Sequence, residues 1–231
     1  MPKTLHILSG GAAQALVTRL QPAFEKKHDC KISGTYGAVG LMKDKLLAGT
    51  PCDVLILSQA LIDDLAAQGR ADAATARAVG GVQTGVALKE GRAPVTLRNE
   101  QDLKALLQSA PAIYFPDPAK ATAGIHFMKV LQALGLAEQK EKLRTFPNGA
   151  TAMAALAQAK EADAVGCTQV TEILMTIGVK LTGLLPAPHG LTTTYTAAAA
   201  SPATEPQLAR ALIAALTAPE AAQARKECGF T

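Results

Sequence analysis

At 231 residues and 48% apolar content, the chain can bury a sizeable core as one large or two small domains. Its formal charge of +4, from 23 basic against 19 acidic residues with no dense basic run, argues against a nucleic-acid surface and fits a mild preference for anions. Aromatics make up 3% and Trp is absent, which leaves little material for base- or sugar-stacking platforms.

Met1 to Thr4 lead directly into a short strand at residues 5–8, leaving no room for a leader peptide, and no apolar run is long enough to span a membrane. Read as it stands, the sequence suits the cytoplasm; removal of a leader would make it periplasmic. Cys30, Cys52, Cys167 and Cys228 lie far apart, with no C-x-x-C pair and no His at metal-ligand spacing. Free thiols and no metal are therefore expected.

After the first strand, Ser9, Gly10 and Gly11 form a glycine turn into a helix whose face carries Leu16, Val17, Leu20 and Phe24. Pro22 inside that helix is expected to loosen or kink it. A second strand begins at Cys30 and feeds the most informative stretch, residues 35–57. There Gly37 and Gly40 bracket Ala38 and Val39, and a short helix follows with Lys43 off its apolar face. Gly49 and Pro51 stop that helix, and residues 53–57 have the unbroken hydrophobicity of a parallel strand buried on both faces. Ser58 and a helix over 60–68 come next. Strand, turn and helix thus recur three times in seventy residues, the pattern of a parallel sheet with crossover helices.

Further strands are expected at 85–88, 112–115 and 163–168, and helices at 100–108 (capped by Asn99), from 124 to 134, after Gly149 and from about Gln169. The turns of this second half carry Thr122, Ala123, Asn148, Thr168 and Gln169. Residues 192–199 read as an extended return segment, and 205–216 and 219–226 as closing helices. The repeated grammar predicts an α/β protein of two lobes, residues 1–83 plus 198–231 and residues 84–197. Each lobe is a mainly parallel sheet with flanking helices, and the ligand cleft lies between them. In open α/β sheets ligands bind beyond the carboxyl ends of the strands.

Several segments carry a family resemblance: residues 20–27 (LQPAFEKK), 36–40 (YGAVG), 47–54 (LAGTPCDV), 122–124 (TAG), 162–164 (ADA) and 229–230 (GF). In this order, over nearly the whole chain, they resemble type II periplasmic binding proteins, most specifically the molybdate-binding proteins of ABC transporters. The resemblance implies that a hydroxyl-bearing Ser should stand where Val39 and Gly11 lie, with Ser9 close by, and a Tyr where Thr168 lies. Hydrogen bonds to charged groups are worth roughly 1.5–3 kcal/mol each, so these departures remove the basis for molybdate binding. Backbone N–H groups at the turns, with Ser58, Thr122, Asn148, Thr168, Gln169 and Lys43, suit a small carboxylate-type anion. A few relatives of the family that lack the molybdate ligands are cofactor-free isomerases interconverting cis- and trans-aconitate.

Two functions follow: binding of a small carboxylate-type anion, or proton-transfer isomerisation of an unsaturated tricarboxylate. The partner is a small anionic ligand, with a transporter only if the chain is exported; neither a nucleic acid nor membrane insertion is expected, and no cofactor. The ligand-binding set is Ser9, Gly10, Gly11, Ala38, Val39, Lys43, Ser58, Thr122, Ala123, Asn148, Thr168 and Gln169. His126 is the candidate base, since its unperturbed pKa is near neutrality, against the plainer reading of a helix-surface histidine. Asp53 reads as a structural cap of backbone N–H groups.

Overall fold

Apolar runs and amphipathic stretches alternate along the chain as strands and helices in a computed structural model that describes residues 3–231. In chain order they are β1 (Lys3–Gly10), α1 (Gln14–His28), β2 (Cys30–Gly37), α2 (Val39–Leu47), β3 (Val54–Ser58), α3 (Gln59–Ala67) and β4 (Arg77–Lys89). Then come α4 (Glu100–Ser109), β5 (Ile113–Pro116), α5 (Thr122–Ala133), β6 (Leu143–Phe146), α6 (Gly149–Ala157), β7 (Val165–Gln169) and α7 (Val170–Leu174). The chain closes with β8 (Val179–Leu184), β9 (Thr192–Ala199), α8 (Pro206–Thr217) and α9 (Ala222–Glu227). It divides into two compact units, Met1–Val82 with Thr193–Thr231, and Gln83–Thr192.

In the first unit β1 pairs in parallel with β2 on one side and β3 on the other. On the far side of β3, β9 runs antiparallel, with Val54 opposite Ala199 and Ser58 opposite Tyr195. Parallel strands covered on both faces need continuous apolar sequence. Val54, Leu55, Ile56 and Leu57 supply it, and all four are fully buried. Against this sheet α1 packs Leu16 and Val17, and α8 packs Leu212, Ile213 and Leu216, in one core. Pro22 does not interrupt α1, which runs through it from Gln14 to His28. The lost N–H costs one backbone bond, while Leu16, Val17 and Phe24 keep the helix seated by burying about 1.5–3 kcal/mol each.

Asp53, just ahead of β3, is buried and ties this unit together. Its Oδ2 accepts from the His6 N–H at 2.8 Å, and its Oδ1 accepts from the N–H groups of Thr204 (2.7 Å) and Glu205 (2.9 Å) and from Thr204 Oγ1 (2.7 Å). Desolvation pushes its pKa up, but these donors outweigh it and hold the carboxyl below the ordinary aspartate range. The capping role expected from the sequence is what the residue performs.

In the second unit β5 lies between β6 and β7, both parallel to it. Residues 84–88 of β4 run antiparallel to β7, and β8 pairs antiparallel to β4. Two apolar clusters sandwich this sheet. One holds Val86, Leu107, Phe115, Phe127 and Leu131; the other holds Ala87, Met153, Leu156 and Ile173. Val86 and Ala87 thus face opposite layers, as strand alternation requires. Phe115 of β5 and Phe127 of α5 meet edge-to-face at 5.4 Å, an arrangement that fixes the helix against the strand.

Candidate functional site: strand-end turns in each unit

Parallel pairing brings the carboxyl ends of β1, β2 and β3 to one edge of the first unit. The register places Gly10 beside Gly37 and Ser9 beside Tyr36 and Ile56. A Cβ added at Gly10 would lie 2.8 Å from Val39 Cγ1 and 2.9 Å from Tyr195 Cε1. The β1 and β2 turns therefore meet only because residue 10 has no side chain. Ser9 is buried, and its hydroxyl donates to the Gly10 carbonyl at 2.8 Å. Gly11 opens the short 3-10 turn that leads into α1, and Ala38 is the extended N-cap of α2. Ser58 caps α3 in backbone conformation only, for its hydroxyl makes no cap bond. Ser9, Gly10, Gly11, Ala38, Val39 and Ser58 thus share one sheet edge. Lys43 is engaged, its Nζ paired with Asp64 Oδ2 on α3.

In the second unit the ends of β5, β6 and β7 do the same. After β5, Asp117 Oδ1 accepts from the N–H groups of Ala119 (2.6 Å) and Lys120 (3.0 Å), shaping the turn that leads to Thr122 and Ala123. A Cβ at Gly124 would lie 2.2 Å from the Asp117 carbonyl oxygen and 2.3 Å from that of Pro116, so α5 starts hard against this turn. After β6, Asn148 caps α6, its Oδ1 accepting from the Thr151 N–H at 2.9 Å. At the end of β7, Thr168 and Gln169 are both buried, and Gln169 is the N-cap residue of α7.

Sequence reasoning missed a residue at this last corner. Glu172, almost fully buried, accepts from Thr168 Oγ1 at 2.6 Å. A Cβ at Gly149 would fall 1.9 Å from Glu172 Oε2 and 2.0 Å from Thr168 Oγ1, so the carboxyl sits directly on the start of α6. Burial raises its pKa above the ordinary glutamate range, against the opposing pull of Thr168 and of the Ala150, Gln169 and Gly149 N–H groups. The available signal was an acidic residue inside the apolar run Val170, Ile173, Leu174, four positions after Thr168. Tyr195 was read only as part of an extended segment; its ring against Gly10 depends on the β3–β9 pairing.

His126 lies one turn into α5, its Nε2 2.8 Å from the His189 carbonyl oxygen. A carbonyl only accepts, so Nε2 carries the proton, and a neutral ring keeps Nδ1 as its acceptor. His189 in turn reaches Glu100 Oε2 at 2.8 Å. His126 therefore pins the 185–191 segment through one ring nitrogen. The four cysteines are free and buried. Burial raises every thiol, that of Cys52 to about 12, so none is a ready nucleophile. Among the described residues no group of three His, Cys, Asp or Glu is placed to hold a metal, and no helix is long and apolar enough to cross a membrane.

Known proteins resemble this chain over nearly its whole length. A curated aconitate isomerase from Pseudomonas sp. is 26% identical over 236 residues, covering 98% of this chain and 87% of that protein. The periplasmic molybdate-binding protein of Azotobacter vinelandii superposes with a TM-score of 0.82 at 18% identity, covering 98% of both chains. The sulfate-binding protein of Mycobacterium tuberculosis H37Rv gives 0.77 at 16% identity, covering 99% of this chain and 86% of its own. These solved structures share the fold, that of type II periplasmic binding proteins. The family model described as bacterial extracellular solute-binding protein matches residues 5–231, and the chain belongs to that family.

Proposed function

We propose that this chain binds a small organic polycarboxylate through its strand-end turns and discriminates against compact inorganic oxyanions. The observation that carries the reading is the state of the helix starts. No side chain caps α2, α3 or α5, whereas α4 and α6 are capped by Asn99 and Asn148. First-turn N–H groups at a helix start attract anions through their unpaired donors and the positive dipole end. Two of these uncapped starts, α2 and α3, lie at one sheet edge of the first unit, and more than one such start suits an acid with more than one carboxylate. Gly11 and Val39 offer no hydroxyl, and the Ser9 hydroxyl is turned onto the neighbouring carbonyl, which leaves a tetrahedral oxyanion short of donors.

A second reading has its own support, the aconitate isomerase relative. Interconverting the cis and trans acids moves a proton along a carboxylate-flanked allylic carbon, which needs a base and donors to the developing enolate-like charge. The helix starts serve as donors, and Nδ1 of His126 is one candidate base. As a solute-binding protein the chain acts outside the cytoplasm and passes its ligand to a membrane transporter; as an isomerase it needs no such partner.

A thermal-shift screen of di- and tricarboxylates against molybdate and sulfate tests the binding reading. A ligand at about 100 times its Kd stabilises the fold by about 2.7 kcal/mol. Stabilisation by molybdate alone would refute it.

A further inference from the structure

We infer that Glu172 is the resident occupant of an anion seat: its carboxyl group takes up the donors at the α6 start and the β7–α7 turn, and so sets the specificity of that corner against compact external oxyanions. The inference rests on the proposed anion-binding role of the strand-end turns. Its own support is geometric. Donors converge on one small volume at this corner: Thr168 Oγ1, 2.6 Å from Oε2, and the N–H groups of Gly149, Ala150 and Gln169. Residue 149 must be glycine for the carboxyl to sit there, since a Cβ would meet Oε2 at 1.9 Å. These donors are all uncharged, and their pull on the carboxyl opposes that of burial, which is the larger.

A carboxyl group met by converging N–H and O–H donors occupies the place an external oxyanion would take. Here it arrives on the protein's own chain, four residues beyond Thr168. An external sulfate or carboxylate would find these donors already in use. The ligand's own carboxylates are accordingly received at other turns.

Glu172→Ala vacates the seat and leaves its donors in place, while Glu172→Gln keeps it filled with a neutral group whose Nε2 donates to Thr168 Oγ1. Purified wild type and both variants are titrated with sodium formate, then sodium sulfate, against sodium chloride at equal ionic strength, with Tm as the readout. The expected result is a saturable, formate-specific rise in Tm for Glu172→Ala, with none for wild type or Glu172→Gln. If Glu172→Ala does not accumulate folded, formate in the refolding buffer should restore soluble protein. Absence of any formate effect on folding or Tm of Glu172→Ala overturns the inference, as does an equal effect on wild type. The same plates carry trans-aconitate and citrate. Failure of every polycarboxylate to shift wild type would count against the proposed function, independently of the formate result.

Discussion

Asp53→Asn isolates what one buried carboxylate contributes to the first unit. The substitution keeps the shape and leaves Oδ1 to serve the N–H groups of Thr204 and Glu205. It sets Nδ2 against the His6 N–H, which now donates to Oδ2 at 2.8 Å. A bond to a charged acceptor becomes a donor–donor contact, and the remaining bonds lose their charge assistance. Bonds to charged groups contribute roughly 1.5–3 kcal/mol each, and an unsatisfied buried donor costs about 1–3. Thr204 is exposed, so water relieves part of the loss at the start of α8. The net destabilisation should be about 2–3 kcal/mol, which for a chain of this size lowers Tm by on the order of 5–10 °C. The pH dependence is specific. The folded pKa lies below the ordinary value, so wild type holds this stability above the unfolded aspartate pKa and loses it as pH falls through the folded pKa. Urea midpoints of the two proteins should therefore be well separated at pH 7 and converge in acid, below about pH 4. An unchanged midpoint at pH 7, or a gap independent of pH, would refute the role assigned to Asp53.

Glu172→Gln should behave in the opposite sense. The wild-type carboxyl has a raised folded pKa, so its contribution is fully present in acid and lost as pH rises through that value, and the variant's relative stability should improve from pH 4 to pH 8 in the same urea assay. Gly124→Ala drives a methyl into the carbonyls of Asp117 and Pro116, and should cost about 1–3 kcal/mol in denaturant midpoint while displacing the start of α5 and abolishing ligand-induced thermal shift. Lys43→Ala should raise the Kd of a tricarboxylate about 10-fold or more by calorimetry with little change in Tm, since its partner Asp64 is on the surface. If His126 is the base of an isomerase, His126→Ala should slow solvent-deuterium exchange into aconitate on the order of 100-fold; an unchanged rate removes it from the chemistry.

Residues 35–58 were legible because each local device there has its own sequence signal: glycine for the tight turn, Gly49 and Pro51 for the stop, four consecutive aliphatics for a strand covered on both faces. β6 and β8 were not legible. Their residues are mostly half-buried or exposed, so neither an apolar run nor a clean alternation marks them. The first half of β4 was lost for a related reason, with Gly80 and Gly81 interrupting the pattern that identifies residues 85–88. At the site, the turn residues could be found by their positions at strand ends, but what each side chain touches is tertiary. Lys43 meets an aspartate 21 positions away on another helix, and the seat of Glu172 exists only because β6–α6 and β7–α7 bring Gly149 beside Thr168. Local sequence encodes the turns, and packing decides which of their donors remain available.

The most direct test of the central claim is a calorimetric titration of the purified, metal-free protein with trans-aconitate and with molybdate under identical buffer and salt. Saturable one-to-one binding of trans-aconitate near micromolar Kd, about −8 kcal/mol, with no measurable heat from molybdate, is the predicted result. Micromolar molybdate binding with no response to trans-aconitate or any other polycarboxylate would contradict it.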